Sequence, residues 1–305
     1  MVIIDENSVE QLPGSVATIG FFDGVHLGHL FLIDQVKELA SKHHLASAVL
    51  TFPVHPRKVI HSDFVPSLLS SPDEKMELLT EAGVDYCFLL DFTQSIASLT
   101  AKEFMQEIMC DKFNVKELVI GYDHRFGHNR EEGFEDYKRY GEQLGIKVYQ
   151  AKAFDENGTK VSSSVVRKDL AENNIQMANK CLGYSYQLHG KVVLGNQLGR
   201  TIGFPTANIE PHCSEKLVPA DGVYVVDVIV QGKSMRGMLN IGNRPTVNNG
   251  TNRTIEANIF DFDVDIYGQD ISVRFLDFLR PQKKFPSIND LVDQLKKDRE
   301  AARIY

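Results

Sequence analysis

The chain runs to 305 residues, long enough for two domains, and its 43% hydrophobic and 24% charged content is that of a soluble globular protein. The formal net charge of −8 argues against a nucleic-acid binder, which usually carries a basic face, so no nucleic-acid partner is expected, yet a few local cations suffice to hold a nucleotide. Cys87, Cys110, Cys181 and Cys213 are scattered without a Cys-x-x-Cys pair, the N-terminus does not read as a signal peptide, and no run nears the ~20 apolar residues of a membrane helix; free thiols, a cytoplasmic location and no membrane partner are expected.

In chain order, the apolar run 16–19 predicts a buried strand, and Leu30, Ile33, Val36 and Ala40 repeat behind it at helical spacing. Between them lies Gly20-Phe-Phe22-Asp23-Gly24-Val-His26-Leu-Gly28-His29. Two histidines thus flank a glycine where a strand turns into a helix N-terminus, a place whose unpaired N–H groups and positive dipole end attract phosphate. Gly24 and Gly28 allow close approach of a ligand, and His26 and His29 can donate to phosphate oxygens and stabilise charge developing there. The His-x-Gly-His arrangement resembles the signature of the nucleotidyltransferase superfamily, which transfers a nucleotide from a triphosphate and releases pyrophosphate. Half of a metal site and a pair of ordinary loop histidines are the competing readings, and no third ligand lies nearby in sequence.

Residues 45–52 read as a strand. Ser71-Pro72-Asp73-Glu74 supplies a serine cap, a proline in the first turn and a glutamate three after the cap, opening a helix that Gly83 ends. Residues 86–90 read as a strand, and Thr100-Ala-Lys-Glu103 is a second capping box that opens a helix to about Lys112. Then come a strand at 118–121, a helix at 131–144 stopped by Gly145, and a strand at 146–151. Such alternation predicts a parallel sheet with helices on both faces and ligands beyond the carboxyl ends of its strands.

From about Tyr184 the period changes. Residues 187–194, 224–230, 234–241, 254–260 and 271–279 read as strands between Gly, Pro and Asn clusters, and Ser287 caps a helix to about Arg303. They predict a small antiparallel β-barrel with a terminal helix. The expected architecture is an α/β, Rossmann-like nucleotidyltransferase domain over 1–183 and a barrel domain over 184–305.

A second constellation opens the barrel: Gly195-Asn-Gln-Leu-Gly199-Arg200-Thr-Ile-Gly203-Phe-Pro205-Thr206-Ala-Asn208. Its glycines let a loop fold against phosphates, and Thr206 and Asn208 offer the hard oxygens that suit Mg²⁺. An ordinary Gly/Pro turn is the competing reading. Asn240-Ile-Gly242-Asn-Arg-Pro245-Thr246 forms a second polar loop, and Thr254-Ile-Glu256-Ala-Asn258 sets Glu256 on a strand as a candidate base for a substrate hydroxyl.

Over nearly its whole length the chain resembles the bacterial bifunctional riboflavin kinase/FMN adenylyltransferase family. Besides the segments above, the resemblance is carried by Gly121-Tyr-Asp123-His-Arg-Phe-Gly127, Ser162-Ser163-Ser164-Val-Val-Arg167 and Asp261-Phe-Asp-Val-Asp-Ile-Tyr-Gly268. It implies that the barrel phosphorylates riboflavin with ATP, and that the N-terminal domain joins FMN to the AMP part of a second ATP, giving FAD and pyrophosphate, both with Mg²⁺. By position, His26 and His29 would be catalytic and contact ATP phosphates together with Gly20, Phe22, Asp23, Gly24 and Gly28. Asp123 would lie near ATP or metal, and Ser163, Ser164 and Arg167 would hold phosphates at a helix start, a run that could equally be an ordinary capped helix. In the barrel, Gly199, Arg200 and Gly203 would cradle ATP, Thr206 and Asn208 would serve Mg²⁺–ATP, and Glu256 would be the base and touch flavin. Phe52, Pro53 and Pro56 match a segment that borders the flavin, though a strand end with a proline turn would look the same. His124, Ser164 and Phe21 depart from the residues more usual there. Another nucleotidyltransferase fused to an unrelated barrel, and a flavin-binding regulatory protein, are the alternatives. The substrates implied are riboflavin, FMN and ATP, with oligomeric state undetermined.

Overall fold

A computed structural model describes residues 1–5, 12–61, 63–122, 124–128, 130–154, 161–195, 198–245 and 251–305. The chain divides into two compact units, Met1–Ser163 and Ser164–Tyr305.

The first unit contains β1 (Val2–Ile4), β2 (Ser15–Ile19), α1 (Leu27–His43), β3 (Ala46–Thr51), α2 (Pro56–Ile60), α3 (Pro72–Glu81) and β4 (Tyr86–Leu89). These are followed by α4 (Gln94–Ser98), α5 (Ala101–Glu103), β5 (Val115–Ile120), α6 (Phe134–Leu144) and β6 (Lys147–Gln150). The strands form one parallel sheet in the order β1-β4-β3-β2-β5-β6. Its residues alternate between two cores, as the strand period of two requires. Ala17, Ile19, Ala48, Leu50, Phe88, Leu118 and Ile120 pack with Phe104, Met105 and Ile108. On the other face Val16 and Val119 pack with Val36 and Ala40, and Val49 and Cys87 with Ile33 and Leu79. Both faces are therefore buried, which is why these strands read as continuous apolar runs.

Successive strands step outward from β2 to β3 and β4, and the chain then returns to lay β5 on the other side of β2. That reversal makes the carboxyl end of β2 the expected crevice of an open α/β sheet.

The second unit begins within α7 (Ser163–Ala171) and continues through α8 (Ile175–Leu182), β7 (Gln187–Val193), α9 (Leu198–Thr201), β8 (Ala207–Pro211) and β9 (Gly222–Val230). It ends with β10 (Lys233–Pro245), β11 (Thr251–Ile259), β12 (Asp270–Arg280) and α10 (Ile288–Ile304). The strands pair antiparallel and close into a barrel in the order β10-β11-β8-β7-β12-β9. α10, capped by Ser287, packs Val292, Leu295 and Ala302 on Phe204, Val225, Met238 and Phe260.

This division falls earlier than the change of hydrophobic period near 184, because α7 and α8 bond to the barrel. Ala220 N–H donates to Leu170 O (3.1 Å), Asn179 Nδ2 donates to Phe275 O (2.8 Å), and Tyr186 N–H donates to Asn179 Oδ1 (2.7 Å).

Several details differ from the sequence expectation. The helix opened by Thr100 winds as a π-helix from Phe104 to Lys112. α6 starts at Phe134 rather than 131, since Asp136 turns back to accept from Gly133 N–H (3.1 Å) and so marks the true first turn. The strands β1 and β8 and the short helices α2, α4 and α9 carry too few residues to show a period.

Candidate active sites

The loop after β2 is strained and braced. Phe22, Gly24 and Val25 all hold positive φ (53°, 78° and 34°), a conformation that a phenylalanine and a β-branched valine keep only under outside constraint. Asp23 supplies much of that constraint: its Oδ1 accepts from Leu69 N–H (2.8 Å) and Ser70 N–H (3.1 Å), while Gly24 N–H donates to Ser70 Oγ (3.0 Å). Phe22 is buried in the core and meets the His29 ring edge-on at 5.0 Å. Both residues, expected at the ATP phosphates, thus have a packing or bracing task in the loop. Gly20 donates to Leu50 O (3.1 Å) and keeps the loop's start on β3.

His26 is the N-cap of α1, and its Nδ1 accepts from His29 N–H at 3.3 Å. Because Nδ1 accepts, the ring proton sits on Nε2, the nitrogen then able to donate. The two imidazoles stack with centroids 3.7 Å apart. Burial, then the neighbouring imidazoles of His26 and His124, hold His29 well below the usual imidazole range, so it is neutral at pH 7. Its Nδ1 is buried without a hydrogen-bond partner among the described residues. A Cβ on Gly28 would stand 3.2 Å from His26 Nδ1, so this glycine keeps the His26 ring in place. The result is a helix N-terminus carrying imidazole N–H donors, a geometry suited to oxyanions.

The loop after β3 lies beside it. Phe52 is buried and packs against Phe92, with centroids 5.3 Å apart, while Pro53 and Pro56 are half-buried. His55 caps α2 and packs at a tilt against Phe21 (4.6 Å) and Phe64 (5.2 Å), forming an aromatic row. Lys75, from the first turns of α3, reaches under both loops. Its Nζ donates to Phe52 O (2.7 Å) and Phe21 O (3.3 Å) and lies 4.1 Å from the Phe21 ring centroid. Sequence reasoning passed over Lys75; the available signal was a lysine four residues before the buried Leu79, on the apolar stripe of its helix.

Asp123 lies outside the described residues. Ser163 Oγ donates to Asp23 O at 2.9 Å, another brace on the loop. Ser164 is exposed on the first turn of α7, with Arg167 half-buried one turn on.

In the barrel, strand register aligns the polar residues. Glu256 on β11 lies directly opposite Asn208 on β8 and, across its other edge, Asn240 on β10. Directly opposed residues share a face, so the three form one row. With Gly199, Thr206 and Arg280 they line a cavity of about 440 Å³ whose apolar wall includes Phe204 and Leu295. The Thr254 hydroxyl donates to Glu256 Oε1 (3.3 Å), and Gln282 Nε2 donates to Asn240 Oδ1 (3.0 Å). A Cβ on Gly199 would collide with Phe204 O, so this turn closes only around a glycine. Gly203, at φ 79°, completes the turn. Thr206 also lines a second cavity of about 310 Å³ with Arg200, Asp263, Asp265 and Tyr267. Asn240–Pro245, expected in a polar loop, lie instead in β10, whose register with β11 sets Asn240 beside Glu256, and Thr246 lies outside the described residues; Arg280 at the end of β12 and Gln282 just beyond it were not singled out in the sequence. No cluster of three or more His, Cys, Asp or Glu able to hold a metal occurs among the described residues.

Comparison with known proteins agrees with this two-part anatomy. Residues 8–165 match the family described as FAD synthetase, and residues 182–305 match that described as riboflavin kinase. The bifunctional riboflavin kinase/FMN adenylyltransferase of Escherichia coli K12 is 37% identical over 300 residues, covering 97% of this chain and 95% of the relative. Its namesake in Bacillus subtilis is 35% identical over 301 residues, covering 97% and 94%. A crystal structure described as a macrolide-efflux protein from Streptococcus pneumoniae is 36% identical, superposes with a TM-score of 0.90 and covers 100% of both chains. No helix among the described residues is long and apolar enough to cross a membrane. Matched to both domain families in order and to such relatives almost end to end, the chain belongs to the bifunctional riboflavin kinase/FMN adenylyltransferase family.

Proposed function

We propose that this chain makes FAD from riboflavin in two ATP-dependent steps, the barrel phosphorylating riboflavin and the first unit adenylylating FMN. The observation that carries the kinase half is the row Asn208–Glu256–Asn240 on the wall of one cavity beside Thr206. Glu256 takes the proton of the terminal ribityl hydroxyl as its oxygen attacks the γ-phosphorus of ATP, and ADP leaves. Thr254 orients the carboxylate through its 3.3 Å hydrogen bond. The hydroxyl of Thr206 and the amide oxygen of Asn208 are the hard-oxygen donors that fit Mg²⁺, which when bound neutralises phosphate charge. The second cavity, with Arg200 on its wall, is large enough for part of the nucleotide.

In the first unit a phosphate oxygen of FMN attacks the α-phosphorus of ATP and pyrophosphate leaves. This nucleophile is already ionised, so no base is required. His26 and His29 supply imidazole N–H donors to the charge that builds on the phosphate oxygens, and the N-terminus of α1 adds its dipole. The loop 52–56 borders the flavin, and Ser163 braces the nucleotide loop. Four free thiols support a cytoplasmic setting.

The test is direct. Purified protein is incubated with riboflavin, ATP and Mg²⁺, and products are separated by chromatography. FMN followed by FAD is expected; FMN without FAD removes the adenylylation half, and neither product removes both.

A further inference from the structure

Lys75 is a buried ammonium that neither reaction above uses. It is 2% exposed, and its two hydrogen-bond acceptors are backbone carbonyls, not carboxylates. Those carbonyls belong to different loops: Phe21 to the nucleotide loop after β2, and Phe52 to the flavin-side loop after β3. A second stitch runs beside it, the Thr51 hydroxyl donating to Phe21 O at 3.2 Å. α3 is rigidly anchored for the purpose, because Ser71 and Glu74 exchange both hydrogen bonds of a capping box (3.2 and 2.8 Å).

We propose that Lys75 is a positioning residue for adenylyl transfer, its ammonium tying the loop that holds ATP to the loop that borders FMN at one fixed separation. This rests on the reading that the first unit adenylylates FMN. Two carbonyl oxygens aimed at one point repel each other, and a cation between them reverses the sign of that interaction. An apolar side chain of the same length would fill the space without the desolvation cost of a buried charge. The cost is visible in the ammonium's pKa, which burial lowers to about 8. In-line attack needs the reacting atoms within about 3–3.5 Å, and loop separation sets that distance.

The titratable groups facing Lys75 are Asp23 from the nucleotide loop and Cys87 from β4, with His55 against the Phe21 ring. Burial pushes the Cys87 thiol up to about 11. Ordinary carboxylates and imidazoles titrate below about pH 7, so between about pH 7 and 9.5 Lys75 is the group of this cluster that changes charge. As pH rises through about 8 the ammonium is lost, and the tie weakens.

The test uses the full chain and the substitution Lys75→Met. Adenylylation is measured with saturating FMN, ATP and Mg²⁺ across that pH range, and riboflavin phosphorylation on the same preparation is the control. Lys75→Met is expected to lower the adenylylation kcat by about 10–100-fold, with both KM values within about threefold of wild type and phosphorylation unchanged. In wild type, kcat should fall as pH rises through about 8, and the variant should lack this limb. A folded variant with kcat within about twofold of wild type overturns the proposal. Should the variant not fold, the wild-type profile decides, and a kcat flat to about pH 9.5 overturns it. Wild type that makes FMN but no FAD removes the adenylylation reading itself, and this proposal with it.

Discussion

Single residues carry the chemistry, and some carry it by being small. Gly28 lies inside α1, where alanine is intrinsically favoured by up to about 1 kcal/mol, yet its added methyl would press on the His26 ring at 3.2 Å. Gly28→Ala should therefore keep or raise Tm while slowing adenylylation about tenfold, since small misplacements of a positioned group are costly. A thermal melt beside an FAD-formation assay separates the two effects; unchanged FAD formation would show that the ring position is irrelevant. Glu256→Gln keeps size and hydrogen bonding but removes basicity. FMN formation should drop about 10²–10⁴-fold while FAD formation from supplied FMN continues at the wild-type rate. Equal loss of both would assign Glu256 to structure. His26, His29, Thr206, Asn208 and Glu256 could be singled out in the sequence because each sits in a short run of loop formers or alternating polar residues. Lys75 could not, because a lone lysine on a helix is ordinarily solvated, and only the packing of α3 under two loops buries it.

Among the elements, α10 shows how a helix is held on a barrel. Its apolar stripe covers Phe204, Val225 and Met238, and its Asp298 accepts from Arg280 Nε (3.0 Å) and Nη2 (2.7 Å) on β12, and from Gln294 (2.9 Å). Arg280 also lines the larger cavity, so this pair links the helix to the cavity proposed to hold the kinase reaction. Asp298→Ala would leave a largely buried guanidinium unpaired and should destabilise the barrel by about 3 kcal/mol. Denaturant unfolding checks this; a change under about 0.5 kcal/mol, the range of ordinary surface substitutions, would mean the pair contributes little. Helix starts were legible at Ser71, Thr100 and Ser287, where the bond from cap to backbone closes within four residues, but not at the side-chain caps His55 and Thr93, whose helices α2 and α4 are too short to show a period. The π winding after Glu103 was not. Its Phe113 N–H bonds to Ile108 O, five residues back, and the choice between that and an α-turn depends on how Phe104, Met105 and Ile108 fit the sheet.

At the scale of the molecule, the placement of α7 and α8 makes a prediction about where the kinase can be cut. A fragment 184–305 should phosphorylate riboflavin and make no FAD, since the cavity residues all lie within it. It should be less stable than a fragment 164–305. The shorter piece loses the buried Leu170, Ile175 and Leu182 and both hydrogen bonds of Asn179, and one fully buried leucine alone contributes about 1.5–3 kcal/mol. Melting both fragments tests this. Equal Tm values would show α7 and α8 to be dispensable, and a folded 184–305 without kinase activity would show that the barrel does not own the site.

The sequence by itself determined the two-part pattern, the element types of the long periodic segments, and which short motifs hold histidines, hydroxyls and a carboxylate. These follow from interactions between residues a few positions apart: the period of apolar residues, caps, and turns that only certain residues can make. The tertiary structure alone decided that β5 returns beside β2, that six strands close into a barrel, and that Asn208, Glu256 and Asn240 stand in one row. It also decided that Lys75 lies under both loops of the first unit. Those outcomes depend on register and packing between segments far apart in the chain. A shift of one residue in a strand would turn Glu256 to the other face without changing any local pattern.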